Sequence, residues 1–550
     1  MTIPDPVLLQ AASVGPAVAG VVWLALYRWP WVRRVAGGVA YLAAHAAAWV
    51  VFWRLYGGET VAWRELEPGL LQASIVPIAE LGVLLALIRA GTLGYRATIG
   101  AVVAVTVSTS ALVFGAYSMN LVVQALFLPV PTLAAVAASL AGREHRSLAG
   151  FGGLAAADLV GVLGLAVLFD RSGSSTVASV DGIGLGSGLL LLSAAAKAGA
   201  LPGVATWRLT QSEGPAAPVT AALRGQGVAL SALAGPIVAG VGESVPLASA
   251  AVVATLLAGA AGLVAARSQA SLAALFGAGA SVQFLALGLG GSVGLRAFLL
   301  LFPAFLLASG VAFLVGWPPQ EAQFAGRRSR VPRWAGGAAM AVSVASLAGF
   351  PPAGGFPGTW LTLDLATARG AIEPLYVVVA GAAALGLVAA AVGAIPLLRA
   401  ARPGWISALL GAGGAGLLLY MGSLPGRVGG GWWVRVEEGL NAPELLSFAG
   451  APDLPPVDGG ILLVAAGAAA IPIALVALLG RGFRDAAGTF TGVMPRRPAR
   501  PERRLVGLAG KLQASVERLY IGTAAALLIE LAVAWSIVQL VIRAGQRGFL

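Results

Sequence analysis

Apolar stretches of about 20 residues recur from one end of this chain to the other, and each is long enough to cross a ~30 Å hydrocarbon core as a helix. About sixteen are expected, at 7–27, 36–56, 70–90, 96–116, 119–140, 148–169, 183–203, 216–240, 245–266, 270–290, 293–316, 334–354, 375–398, 404–422, 459–480 and 519–542. Of the 550 residues, 58% are hydrophobic and 11% charged, with no stretch polar enough for a soluble domain. The expected fold class is an all-α polytopic membrane protein.

The same composition excludes several chemistries. With no cysteine, disulfides, thiol catalysis and cysteine-ligated clusters are ruled out. Two histidines, His45 and His145, do not provide for a haem or a His-based metal centre, so no cofactor and no metal are expected. A net charge of +12 reflects arginine in the connecting loops rather than nucleic-acid binding. Arg28, Arg33, Arg34, Arg143, Arg146, Arg327, Arg328 and the cluster from Arg481 to Arg504 fall on one side of the expected spans. Acids such as Glu59, Glu65, Asp170, Asp181, Glu243 and Glu437 fall on the other. The basic side is then cytoplasmic and both termini face outward.

Two spans carry interruptions. The seventh holds Lys197, one of only two lysines in the chain, within an apolar run, with Pro202 five residues on. A desolvated lysine can release its proton, whereas an arginine cannot. Ionisable groups inside spans are costly and mark ion paths, so Lys197 is a candidate proton carrier. The twelfth span breaks at Pro351 and Pro352 among several glycines. Broken backbone at membrane depth is tolerated only inside protein or beside a cavity. The two breaks lie five spans apart. An odd offset reverses topology, so two inverted five-helix repeats are expected, at 95–241 and 245–400. Around them stand N-terminal helices (1–94), C-terminal helices with an outer loop (401–480), a basic cytoplasmic linker (481–518) and a last span (519–550).

Together these motifs resemble the antiporter-like membrane subunits of respiratory complex I and the Mrp sodium/proton antiporters. The resemblance rests on Lys197-Ala-Gly-Ala-Leu-Pro202 with Trp207, on Glu213-Gly-Pro-Ala-Ala-Pro218-Val-Thr-Ala221, and on Leu347-Ala-Gly-Phe-Pro351-Pro-Ala-Gly-Gly-Phe356. It covers roughly residues 95–400, and the span number is similar to that of the distal, largest complex I subunit. It implies a proton-translocating subunit of a larger complex in a bacterial or archaeal cytoplasmic membrane. Membrane and soluble subunits, protons and lipid would be its partners, and no catalytic site is expected in this chain. The resemblance extends to the membrane subunits of DAB-type inorganic-carbon accumulating complexes, and loss of ionisable residues also fits a non-conducting scaffold.

The departures are local. The fifth-span glutamate of the family falls near Leu128-Pro129, where no acid stands. Asp158 or Glu80 is expected to take its place beside Lys197. The eighth-span histidine position holds Arg224, either a fixed charge acting on Lys197 or a counter-ion for Asp158 or Glu80. Lysines expected in spans eleven and twelve are missing. Glu213 is placed to cap the broken span and to serve proton entry. Gln226 and Gln283 read as interhelical hydrogen-bonding residues, and His45 as a helix-contact histidine outside the repeats.

Overall fold

The computed structural model describes residues 3–90, 95–118, 120–142, 151–172, 184–201, 218–241, 244–264, 269–316, 330–370, 375–400, 403, 405–424 and 523–546. Among them are seventeen helices and no strand. They are α1 (Asp5–Ala25), α2 (Pro30–Tyr56), α3 (Leu70–Ala90), α4 (Tyr95–Tyr117), α5 (Leu121–Phe127) and α6 (Val130–Gly142). Next come α7 (Phe151–Ser172), α8 (Leu185–Ala198), α9 (Val219–Val241), α10 (Val245–Val264), α11 (Gln269–Leu289) and α12 (Gly291–Gly316). The chain continues with α13 (Arg330–Leu347), α14 (Phe356–Gly370), α15 (Leu375–Ala400), α16 (Trp405–Ser423) and α17 (Thr523–Gln546). Eleven stretches are long and apolar enough to cross a membrane, and three apolar helices are shorter. Each expected span that falls on described residues contains helix, though not always over its full length; the fifteenth, at 459–480, lies outside them.

Burial follows sequence. α11 and α12 are apolar on every face and lie wholly inside the bundle, as such helices must. α1, α2 and α16 expose large apolar side chains such as Val21, Trp53 and Leu409 on the outside. α12 packs against α3, α11, α13 and α16 and so forms the hub. The N-terminus is tied down at one end of α2, where Arg54 donates to Asp5 and Glu59, each at 2.6 Å. These are part-exposed pairs, screened by solvent. Arg54→Ala is therefore expected to cost only about 1 kcal/mol, and faster amide exchange at residues 5–9 would register it.

Among the described residues, helix stops short within three of the expected spans rather than two. The twelfth breaks as expected: α13 ends at Leu347 and α14 begins at Phe356. The turn carrying Pro351 and Pro352 is held by the Gly355 N–H, which donates to Ser346 Oγ at 3.0 Å. The seventh breaks earlier than its proline. α8 stops at Ala198, because Gly199 takes a left-handed φ of 89° that favours glycine. Pro202 itself lies outside the described residues. The third interruption was not expected: the fifth span, 119–140, is two helices parted at Leu128 and Pro129. Pro129 and Pro131 offer no N–H, so the carbonyls of Ala125 and Phe127 lose their helical donors four residues on.

Candidate functional site

Lys197 sits on the last turn of α8 and is completely buried. Its depth follows from helix-to-helix fit. On α7, Asp158, Gly161 and Gly164 lie three residues apart and share one face. A side chain at Gly161 would strike Ser193 of α8, and one at Gly164 would strike the Gly186 carbonyl at 2.8 Å. The glycines thus let α7 and α8 approach closely. Ser193 lies one turn before Lys197, as Gly161 lies one turn after Asp158. The antiparallel pair therefore brings carboxylate and ammonium together: Asp158 Oδ1 stands 2.5 Å from Lys197 Nζ, and Asp158 is also fully buried.

Two further oxygens converge on the same nitrogen. Lys197 Nζ donates to the Leu128 carbonyl at 2.9 Å and to Gln226 Oε1 at 2.8 Å. The Leu128 carbonyl comes from the interruption between α5 and α6. Gln226, on α9, is oriented by its own amide N–H groups, which donate to the carbonyls of Phe127 and Leu128 at 3.3 and 3.2 Å. Its oxygen is left facing the ammonium. An ammonium has three N–H donors, and three oxygens from three parts of the fold meet it here. The position where the family's fifth-span acid was missed holds a backbone carbonyl, with the negative charge supplied from the next span by Asp158.

Close approach of α9 completes the cage. A Cβ at Gly227 would stand against the Ala198 main-chain nitrogen and 2.7 Å from the Ala194 carbonyl, so only glycine lets Gln226 reach Lys197. Beyond the lysine, Ser281 of α11 lies 3.1 Å from the Ala200 carbonyl, just past the left-handed turn.

The other expected site residues are placed elsewhere. Glu80 does not partner Lys197: it is buried in α3 and holds His45, whose Nδ1 is 3.2 Å from its Oε2. Arg224 is buried two residues before Gln226, with its guanidinium 4.1 Å from the centre of the Phe276 ring. It borders a small cavity between α3, α9 and α12 lined by Ala79, Gly82, Leu306 and Ser309. Glu213 lies outside the described residues. Gln283 is buried in α11 and is not part of the Lys197 cage. Among the described residues no group of three or more His, Cys, Asp or Glu could hold a metal ion. Sequence reasoning missed the Leu128 carbonyl and treated Gln226 as a general helix-contact residue. The Pro-Val-Pro spacing at 129–131 was the available signal.

No protein-family model matches the chain, and no curated protein matches it. Solved structures do share its fold. A chain of respiratory complex I from Thermus thermophilus matches with a TM-score of 0.57 and 23% identity, covering 76% of this chain and 98% of that one. A chain of the membrane-bound sulfane sulfur reductase, an archaeal respiratory membrane complex, matches with a TM-score of 0.63 and 19% identity over 98% of this chain and 99% of that one. A chain of the Mrp complex from Dietzia sp. matches with a TM-score of 0.60 and 16% identity, covering 80% and 97%. With its broken spans and buried charges, the chain has the fold of the antiporter-like membrane subunits found in these complexes.

Proposed function

We propose that this chain is a proton-translocating subunit of a larger ion-coupled membrane complex, with Lys197 as the proton carrier. The carrying observation is a fully buried lysine, on the last turn of a helix and beside the interruption at Leu128, paired with a fully buried aspartate. A purely structural cation at this depth would be served by arginine, whose guanidinium does not give up a proton; lysine does. The three-oxygen cage describes the loaded state. Unloading requires the negative charge of Asp158 to be met in another way, by a proton reaching the carboxylate or by a nearby charge moving in. Each pKa unit corresponds to ~1.4 kcal/mol, so a modest displacement of a partner charge is enough to change the loading.

The repeat organisation, 95–241 and 245–400, belongs to the same proposal. Two observations support it. α4 with α6, α4 with α9 and α7 with α8 are in contact, as are α10 with α11, α10 with α15 and α12 with α13. The caps also match: the Ala200 N–H returns to the Ala195 carbonyl at 2.9 Å, and the Phe350 N–H to the Ala345 carbonyl at 2.8 Å, around left-handed Gly199 and Gly349. Superposing the caps sets Leu347 in the place of Lys197, so the second repeat has no titrating side chain there. The arginine-rich loops support a cytoplasmic 481–518 with both termini outside, and the complex is proposed to sit in a bacterial or archaeal cytoplasmic membrane. The three similar structures are all multisubunit complexes, and membrane and soluble partner subunits are proposed here too.

Proton flux in proteoliposomes holding the intact complex tests the reading. Flux is expected to fall to background in Lys197→Ala and in Lys197→Arg. Flux in Lys197→Arg equal to wild type would overturn the carrier role, and an intact wild-type complex without flux would leave a scaffold.

A further inference from the structure

Glu80 and His45 lie outside the Lys197 cage and form a cluster of their own. Glu80 sits near the middle of α3, fully buried, a costly place for a carboxyl group. Its Oε2 meets His45 Nδ1 at 3.2 Å, and its Oε1 has no hydrogen-bond partner among the described residues. His45 Nε2 accepts from the indole N–H of Trp49 at 3.1 Å. An indole nitrogen only donates, so Nε2 must be the unprotonated nitrogen. The ring proton therefore sits on Nδ1 and is donated to Glu80, and the imidazole is neutral. The His45 side chain keeps 13% of its surface exposed. The chain of contacts thus runs from the bundle surface to a buried acid.

The surroundings on every side are accounted for. On α2, the Tyr41 phenol donates to the Glu80 main-chain carbonyl at 3.2 Å. On α4, Thr109 stands beside that phenol and Tyr117 lies within electrostatic reach of Glu80. α9 and α12 approach α3 on another face, through Ala79, Gly82 and Ala86, where Arg224 and Ser309 line the cavity described above. Among the described titratable side chains, Glu80 meets His45 directly.

We propose that Glu80 and His45 form a second proton-binding site, separate from Lys197, in which the Trp49 indole latches the imidazole and must leave Nε2 before a proton can pass through the ring. When the latch opens, a proton binds at Nε2 and gives the imidazolium. The Nδ1–H bond then breaks toward Glu80 Oε2, forming the neutral acid, and the ring is left neutral with its proton on Nε2. One proton enters at the ring and one arrives at the carboxylate; no other reactant is needed. A ring rotation or a second transfer through the same path resets the tautomer.

The test reads the imidazole directly and does not depend on transport by Lys197. The full-length chain is labelled with ¹⁵N-histidine in lipid nanodiscs, with His145→Gln removing the other signal. Wild-type His45 is expected to show a protonated Nδ1 and a bare Nε2. Trp49→Phe keeps the ring but removes the donor, so His45 should take up its second proton at a pH higher by about one unit or more. Adding Glu80→Gln removes the receiving charge and should cancel most of that gain. A wild-type His45 already protonated at Nε2 overturns the proposal, whether or not the variants assemble. So does a Trp49→Phe titration identical to wild type, or a Trp49→Phe gain that Glu80→Gln leaves unchanged.

Discussion

Asp158→Leu is expected to destabilise the protein by about 3–5 kcal/mol, because it strips a buried ammonium of the carboxylate that faces it. Lys197→Met should cost a similar amount, leaving the Asp158 carboxylate buried without its cation. The double variant Asp158→Leu/Lys197→Met is expected to recover most of the loss, since well-shaped apolar side chains replace a buried pair at little cost. Unfolding curves of the four proteins in mixed micelles give the coupling. Additive losses would show that the two charges, although 2.5 Å apart, do not depend on each other. The double variant also separates fold from function: it should be stable and should carry no proton. No single change elsewhere in the described bundle touches both properties so directly.

Gly227→Val is the second large effect. The added Cβ would meet main-chain atoms of Ala198 and Ala194, which cannot step aside as a flexible side chain could. α8 and α9 must separate, at a cost of about 1–3 kcal/mol from overpacking. Separation also withdraws Gln226 Oε1 from Lys197, a contact of 2.8 Å. Flux should therefore drop well beyond what the stability loss explains. Gln226→Leu provides the control, since it removes the same oxygen and leaves the helix spacing intact. If Gln226→Leu conducts normally while Gly227→Val does not, the amide is only a spacer.

How much of this was legible in the sequence differs from residue to residue. The helices were, because apolar runs of span length have few other folds open to them. The pairing of Asp158 with Lys197 was legible only as one of two alternatives, because Glu80 is also a lone acid within a span and the residue order does not say which of the two faces the lysine. The stopping point of α8 was misplaced toward Pro202. A glycine that adopts a left-handed turn ends a helix before a later proline has the chance, and Ala198-Gly199 looks unremarkable as text. The missing fifth-span acid was correctly noticed, but its replacement could not be read from side-chain identities at all. A carbonyl oxygen is present at every residue, and only the bend set by Pro129 and Pro131 makes the one at Leu128 available. Glu80 was set near Lys197 by composition alone. Its real neighbour, His45, depends on the rotation of α2 against α3, which the apolar pattern of α2 does not specify.

The contact between Ser281 and the Ala200 carbonyl has a consequence for timing. Ala200 lies three residues from the lysine, immediately after the left-handed turn, and Ser281 belongs to the most enclosed helix of the bundle. If the backbone at the turn shifts when the lysine changes charge, that hydroxyl must release or follow it. The same hydroxyl also has the Gly277 carbonyl of its own helix at 2.8 Å, so in the proposed cycle its one proton would switch between α11 and the turn beside Lys197.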